Sequence, residues 1–161
     1  VHRLSDLEAV RRALDLAGSV TTPDDDVPVG AVVLDPDGRI IAQAVNEREA
    51  SGDPTAHAEV LALRRAAESI GSWRLEGCTI AVTLEPCPMC AGASVLARIG
   101  RLVFGAWNEE YGASGSRWDL VRDRRLNHRI EVISGIRADE GAALVREFLA
   151  DQREGEPGAR A

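Results

Sequence analysis

Residues 78–98, Cys-Thr-Ile-Ala-Val-Thr-Leu-Glu-Pro-Cys-Pro-Met-Cys-Ala-Gly-Ala-Ser-Val-Leu-Ala-Arg, decide how the chain folds. The apolar run 78–83 reads as a buried strand, Leu84-Glu85 leads out of it, and a helix follows over about 88–98. Cys87 and Cys90 stand at i and i+3, neighbours on one helical face, and Pro88 suits a first helical turn. The strand thus delivers two thiols to the start of a helix.

Thirty residues upstream of Cys87, His57-Ala58-Glu59 supplies what the thiols lack. On a regular helix, residues i and i+2 point about 200° apart. His57 and Glu59 face one point only if the helix begins at His57, with Pro54-Thr55-Ala56 as its lead-in and a run to about Ile70. His57, Cys87 and Cys90 then form a three-ligand zinc set, and three protein ligands leave one position for water, the catalytic arrangement. The two helix N-termini favour thiolate over thiol at the metal. Zinc so bound brings the pKa of water toward about 7, and Glu59, which is not a ligand, is placed to carry the proton.

Two plainer readings compete. Cys-Pro-Met-Cys alone suits a thioredoxin-like redox pair. A structural zinc site would need a fourth ligand, for which Cys78 and His128 are the candidates, although Cys78 reads better as a buried strand residue. The His-x-Glu element paired with Pro-Cys-x-x-Cys favours the catalytic reading and matches the signature of zinc nucleobase deaminases.

A chain of 161 residues is one domain's worth, and 45% apolar with 28% charged residues is ordinary globular composition. Residues 1–150 are expected to form that single domain, with 151–161 a polar, disordered tail. No apolar run spans a bilayer and the charged start is no signal peptide, so no membrane partner is expected and the cytoplasm is favoured. Three cysteines, two of them in a ligand motif, make no disulfide framework. All nineteen basic residues are Arg. The net charge of −7 opposes nucleic-acid binding, yet Arg117, Arg122, Arg124, Arg125 and Arg129 gather against two aspartates, while acid collects at 24–26 and near 154–156. That cluster is either a backbone-binding patch or a solvated loop.

The remaining chain alternates strands and helices. Leu4, Leu7, Val10, Leu14 and Leu16 give an amphipathic helix over 4–18, capped by Ser5 with Glu8 completing a capping box. Thr21 to Asp26 is a loop. Val27 to Leu34 reads as a strand turned by Asp35-Pro36-Asp37-Gly38 into a second, 39–45. Gly30 within an apolar strand marks a close approach, either of another chain segment or of a flat base. Asn46 ends the second strand with an amide that can read a base or ribose, or simply form a turn. Strands at 101–106 and 130–134, a loop from Trp107 to Ser116, and a helix 138–150 with Ala142, Leu144, Val145, Phe148 and Leu149 on its apolar side complete an α/β fold around one sheet.

These segments together resemble one known family. Residues 27–32 (Val-Pro-Val-Gly-Ala-Val), 53–59 (Asp-Pro-Thr-Ala-His-Ala-Glu), 84–93 (Leu-Glu-Pro-Cys-Pro-Met-Cys-Ala-Gly-Ala) and 126–129 (Leu-Asn-His-Arg) closely resemble bacterial tRNA-specific adenosine deaminases, over about residues 5–150. The resemblance implies a cytidine deaminase-like fold with a five-stranded mixed sheet sandwiched by helices, one Zn²⁺ per subunit, and a homodimer. It implies that the wobble adenosine of a tRNA anticodon stem-loop becomes inosine after the base is extruded into a pocket. His57, Cys87 and Cys90 match the zinc ligands and Glu59 the proton shuttle; Asn46 matches a base- or ribose-contacting residue. By the same match Val29, Gly30 and Ala31 line the pocket floor, the N–H of Ala58 faces the attacked position, and Phe148 lies near the anticodon. Where the family usually carries an aspartate and a lysine, this chain has Asn108 and Glu110, which weakens phosphate attraction. Asn108 beside a 2′-hydroxyl is expected to separate RNA from DNA less sharply, and Trp107 and Tyr111 offer stacking rings, Trp107 alternatively serving the core. Guanine and cytosine deaminases share the core ligands, so deamination of a free base or nucleoside is the alternative activity; a catalytically silent, zinc-stabilised RNA-binding subunit is the other.

Overall fold

The computed structural model describes residues 4–20 and 26–155. Helix α1 (Asp6–Ser19) is followed by strands β1 (Gly30–Leu34) and β2 (Ile40–Val45), a single turn α2 (Arg48–Ser51) and helix α3 (Ala58–Ile70). Then come β3 (Thr79–Leu84), α4 (Pro88–Leu96), β4 (Arg101–Ala106), β5 (Glu131–Ile133) and α5 (Ala138–Gly155). The five strands form one sheet in the order β2-β1-β3-β4-β5. β1 runs antiparallel to β2 and β3, whereas β3, β4 and β5 are parallel, so the sheet is mixed as expected.

Alternation along the strands builds two cores. Ala31, Val33, Ile80, Val82, Leu102 and Phe104 face α3 and α4, while Val32, Leu34, Ala81 and Val103 face α1 and Leu144 of α5. Helices on both faces make the expected sandwich. The capping box of α1 forms, with Ser5 and Glu8 satisfying each other's backbone N–H groups.

Several boundaries differ from the sequence reading, each for a local reason. Of the expected apolar residues of α1, Val10 and Leu14 are buried, Leu4 and Leu16 pack partly against the same cluster, and only Leu7 faces solvent; Ala9, Ala13 and Ala17 complete the buried stripe where the helix backbone comes close to the sheet. The strand expected from Val27 begins only at Gly30: Pro28 has no N–H to give a ladder, and the Val29 N–H turns back to the Val27 carbonyl at 2.9 Å. The sequence reading assigns no element to Arg48–Ser51; the turn α2 forms there because the Asp26 carboxylate accepts the N–H groups of Glu49 (2.8 Å) and Ala50 (3.0 Å). Helix α5 continues to Gly155 rather than ending at 150, since Asp151 to Glu154 suit a helix and Arg153 sits favourably at its C-terminal end. The loop 21–25 and the last residues, 156–161, lie outside the described residues. Among the described residues no helix is long and apolar enough to cross a membrane.

Candidate active site

His57 and Cys87 are the N-cap residues of α3 and α4, both in extended backbone conformation, and neither makes a side-chain cap hydrogen bond. Their side chains are therefore left for another purpose. The Sγ atoms of Cys87 and Cys90 lie 3.6 and 3.5 Å from His57 Nδ1. Tetrahedral zinc, with Zn–S of about 2.3 Å and Zn–N of about 2.0–2.1 Å, separates a sulfur from a nitrogen by about 3.6 Å, so the donors fit that ion. His57, Cys87 and Cys90 form the one such group among the described residues. Neither suggested fourth ligand joins it: Cys78 is buried at the edge of β3, and His128 Nε2 lies 2.6 Å from the Ile99 carbonyl.

The three donors are electrostatically linked. The Cys90 thiol beside Cys87, more than the hydrogen-bonded His57, holds Cys87 down to about 4. Cys90 is pushed strongly upward, first by that same contact with Cys87 and then by burial. His57 is raised, chiefly by its hydrogen bond to Cys87. Two adjacent thiolates are stable together only with positive charge between them, which a divalent ion supplies.

Glu59, one residue into α3 from Ala58, is 4% exposed. Burial is the first cause that lifts its carboxyl to about 7, against a partly offsetting hydrogen bond from its own backbone N–H. Such a group can both accept and release a proton near neutrality.

A cavity of about 620 Å³ opens over these groups. Val29, Asn46, Ala58, Glu59, His57, Cys87 and Asn108 all line it, so the structure brings together most of the expected site. Asn46 Nδ2 donates to the Val27 carbonyl (3.2 Å) and its Oδ1 accepts the Arg48 N–H (3.3 Å). It is thus a turn-former, and one amide hydrogen and one lone pair remain for a ligand. Asn108 Oδ1 accepts the Tyr111 N–H at 3.1 Å, leaving its NH₂ group unpaired.

Other expected residues lie elsewhere. Gly30 and Ala31 do not line the cavity. A Cβ on Gly30 would strike the backbone carbonyl of Ala13, so its role is the close crossing of α1. Phe148 is half-buried one turn beyond Val145, and it is Val145 that reaches the cavity. None of the five clustered arginines lines it. Arg122 pairs with Asp119 (2.8 Å), Arg125 with Asp123 (2.6 Å), and Arg117 stacks on Trp118; Arg124 and Arg129 have no ion-pair partner among the described residues.

The sequence reading missed Arg48, Glu85 and Val145 as lining residues and treated Glu110 only as a charge. Glu85 carried a signal, its place between strand end and cysteines; Arg48 carried none. Trp107 meets Phe104 edge-on at 5.0 Å yet remains half-exposed, and Tyr111 stands largely in solvent at the cavity rim.

Residues 4–106 match the family described as the cytidine and deoxycytidylate deaminase zinc-binding region. The chain belongs to this family of zinc-dependent deaminases. It is 45% identical over 135 residues to a tRNA-specific adenosine deaminase of Bacillus subtilis, covering 84% of this chain and 83% of that one. To the tRNA-specific adenosine deaminase of Haemophilus influenzae it is 44% identical over 149 residues, 92% of this chain and 86% of that one. Among solved structures, one from studies of A-to-I editing by tRNA:A34 deaminases at the wobble position superposes with a TM-score of 0.79 at 40% identity, covering 84% of this chain and 97% of that one. A Bacillus subtilis guanine deaminase is more distant in shape, with a TM-score of 0.61 at 38% identity over 65% of this chain and 66% of that one.

Proposed function

We propose that this deaminase converts adenosine to inosine at the wobble position of a tRNA anticodon loop. The observation that carries the chemistry is a buried carboxyl and two metal donors, His57 and Cys87, on the wall of one open cavity, with the third donor, Cys90, buried directly behind them. The similarity to tRNA-specific adenosine deaminases over more than four-fifths of the chain carries the substrate.

Hydrolytic deamination adds water across the ring C6=N1 double bond and then breaks the exocyclic C6–N bond to release ammonia, turning the adenine base into hypoxanthine. Bound zinc, held by His57, Cys87 and Cys90, supplies the Lewis acid that makes water nucleophilic near neutral pH. Glu59 would take one proton from the attacking water and give it to the ring nitrogen beside the attacked carbon, then take the remaining hydroxyl proton of the adduct and pass it to the departing amine as the carbonyl forms. The N–H of Ala58, first residue of α3 and one of the unpaired donors of a helix start, faces the same space. Asn46, with a hydrogen and a lone pair to spare, holds the base or its ribose. Asn108 offers its NH₂ group, and Tyr111 at the rim offers a ring on which an unstacked neighbour can lie. Phe148 is assigned to the loop's outer contacts, and Arg124 and Arg129, which close no ion pair among the described residues, to the phosphate backbone.

A homodimer belongs to the same reading. Val60, Leu63, Trp73 and Leu96 line an open apolar groove on α3 and α4, where Trp73 is 57% and Leu96 69% exposed, and a second copy is its proposed occupant. A tRNA substrate assigns the enzyme to the cytoplasm.

The test incubates the zinc-loaded protein with an anticodon stem-loop RNA and, separately, with free guanine, cytosine and adenosine. Inosine in the RNA alone is expected. Xanthine or uracil from the free bases, with the RNA untouched, would overturn the tRNA assignment in favour of a free-base deaminase.

A further inference from the structure

Glu85 is a buried carboxylate, 1% exposed, at the exit of β3, two residues before Cys87. It ends no helix and, among the described residues, pairs with no cation. Instead its Oε2 accepts the backbone N–H of Asn108 at 3.0 Å, and its Oε1 accepts those of Ser114 and Ser116, each at 3.0 Å. These three donors belong to one loop, residues 107–116, whose members Asn108, Glu110 and Tyr111 form a wall of the cavity. The loop is wrapped tightly around the carboxylate. Gly112 is buried against it, and a Cβ there would strike Glu85 Oε2, Ser116 Oγ and the Asn108 carbonyl. The adjoining Pro86 carbonyl accepts the Ala113 N–H at 2.8 Å, so the same stretch that carries the cysteines also holds the loop.

We infer that Glu85 is a positioning residue for substrate: it fixes the 107–116 loop, and through it Asn108 and Tyr111, at a set distance from the metal donors. The inference rests on the proposed activity only for its kinetic consequence; the loop anchoring stands on the geometry alone. Three N–H groups converging on one carboxylate give it a rigidity that loops without such an anchor lack. Substrate then meets a wall already in place, and binding is not discounted by the fraction of molecules whose loop is open.

The isosteric change Glu85→Gln separates the two ends of the loop. An amide oxygen can keep both the Ser114 and Ser116 N–H groups, but its NH₂ then faces the Asn108 N–H, donor against donor. The experiment measures amide hydrogen exchange and zinc content for the zinc-loaded wild type, Glu85→Gln and Gly112→Ala, together with KM and kcat on an anticodon stem-loop RNA. In Glu85→Gln, exchange at Asn108 is expected to rise at least roughly tenfold, with Ser114 and Ser116 still protected, zinc stoichiometry unchanged, KM raised about tenfold and kcat altered less than about threefold. Gly112→Ala, which pushes the loop off the carboxylate sterically, is expected to release all three amides with the same bias toward KM. Asn108 exchange unchanged in Glu85→Gln, or kcat falling while KM holds, would overturn the inference. If Glu85→Gln loses zinc, Gly112→Ala decides by the same criteria. Absence of RNA deamination in the wild type itself would count against the proposed function, and the exchange data would still judge the anchor.

Discussion

Arg101 grips Asp6 through two hydrogen bonds of 2.7 Å, tying the first turn of α1 to the first residue of β4, 95 positions away. The same guanidinium reaches Glu131 on β5 at 3.1 Å, so one side chain joins three elements at the sheet's end. Asp6 and Glu131 both hold the Arg101 charge in place, Asp6 foremost, and raise its pKa. Both partners of the Asp6 pair are about one-third exposed, which screens the attraction. Arg101→Met is expected to cost about 1–2 kcal/mol, a fall in Tm of roughly 2–8 °C, with activity retained. Thermal unfolding of Arg101→Met, Asp6→Asn and the double variant checks this; additive losses would mean that the two side chains do not interact.

Glu59 is the buried carboxyl beside the metal donors, on the wall of the cavity. Glu59→Gln keeps volume and burial but removes the exchangeable proton. Turnover is expected to fall by about 10²–10⁴-fold with zinc still bound. Metal analysis alongside a single-turnover assay decides it, and retained activity would remove Glu59 from the chemistry.

Metal removal has a chemical signature separate from rate. In the zinc-loaded protein Cys87 and Cys90 are coordinated, and Cys78 is 1% exposed, so a thiol-alkylating reagent is expected to leave all three intact. After chelation, modification at Cys87 and Cys90 is expected, with Cys78 spared while the fold persists. Mass spectrometry of the modified peptides reads the pattern, and re-addition of zinc before alkylation is expected to restore both protection and deamination.

The arginine cluster divides by pairing. Arg122 and Arg125 already neutralise Asp119 and Asp123, and Asp123 is held down to about 2 mainly by its hydrogen bonds from Arg125. Arg124 and Arg129 are exposed and close no ion pair among the described residues, although Asp123 also feels the charge of Arg124. Arg124→Ala and Arg129→Ala are each expected to weaken RNA binding and to lower the salt-dependence slope by about 1, with Arg125→Ala doing less. Binding isotherms across a salt series distinguish these; equal effects from all three would mean that the pairing does not matter.

What could be read from the sequence was local. The metal set and the start of α3 followed from residue type and spacing within two short stretches, and β4 matched to the residue because its apolar run is sharply bounded. Gly30 was ambiguous because the cause of its missing side chain, the Ala13 carbonyl, lies on another element. The inward face of α1 was read only in part for a related reason: Val10 and Leu14 bury as expected, but Ala9, Ala13 and Ala17 bury beside them because the helix lies close, and proximity leaves no periodic trace. Glu85 looked like a motif flank since its three donors stand 23 to 31 positions away. The ion pairs within the arginine cluster depend on loop geometry that charge counting does not contain.

Both ligand-bearing helices start without a side-chain cap, since His57 and Cys87 stand where serine, threonine or aspartate would serve the helix better. Each omission forgoes about 0.5–2 kcal/mol of helix stability. The two helix starts nevertheless concentrate positive potential at one spot, with the Glu59 N–H turned to its own carboxyl and the Cys90 N–H to Cys87, ready for the thiolates and for any negative charge that gathers during reaction. The architecture therefore trades thermal robustness of the empty protein for field strength at its centre, and a serine in place of Cys87 would give a sturdier fold with nothing left to catalyse.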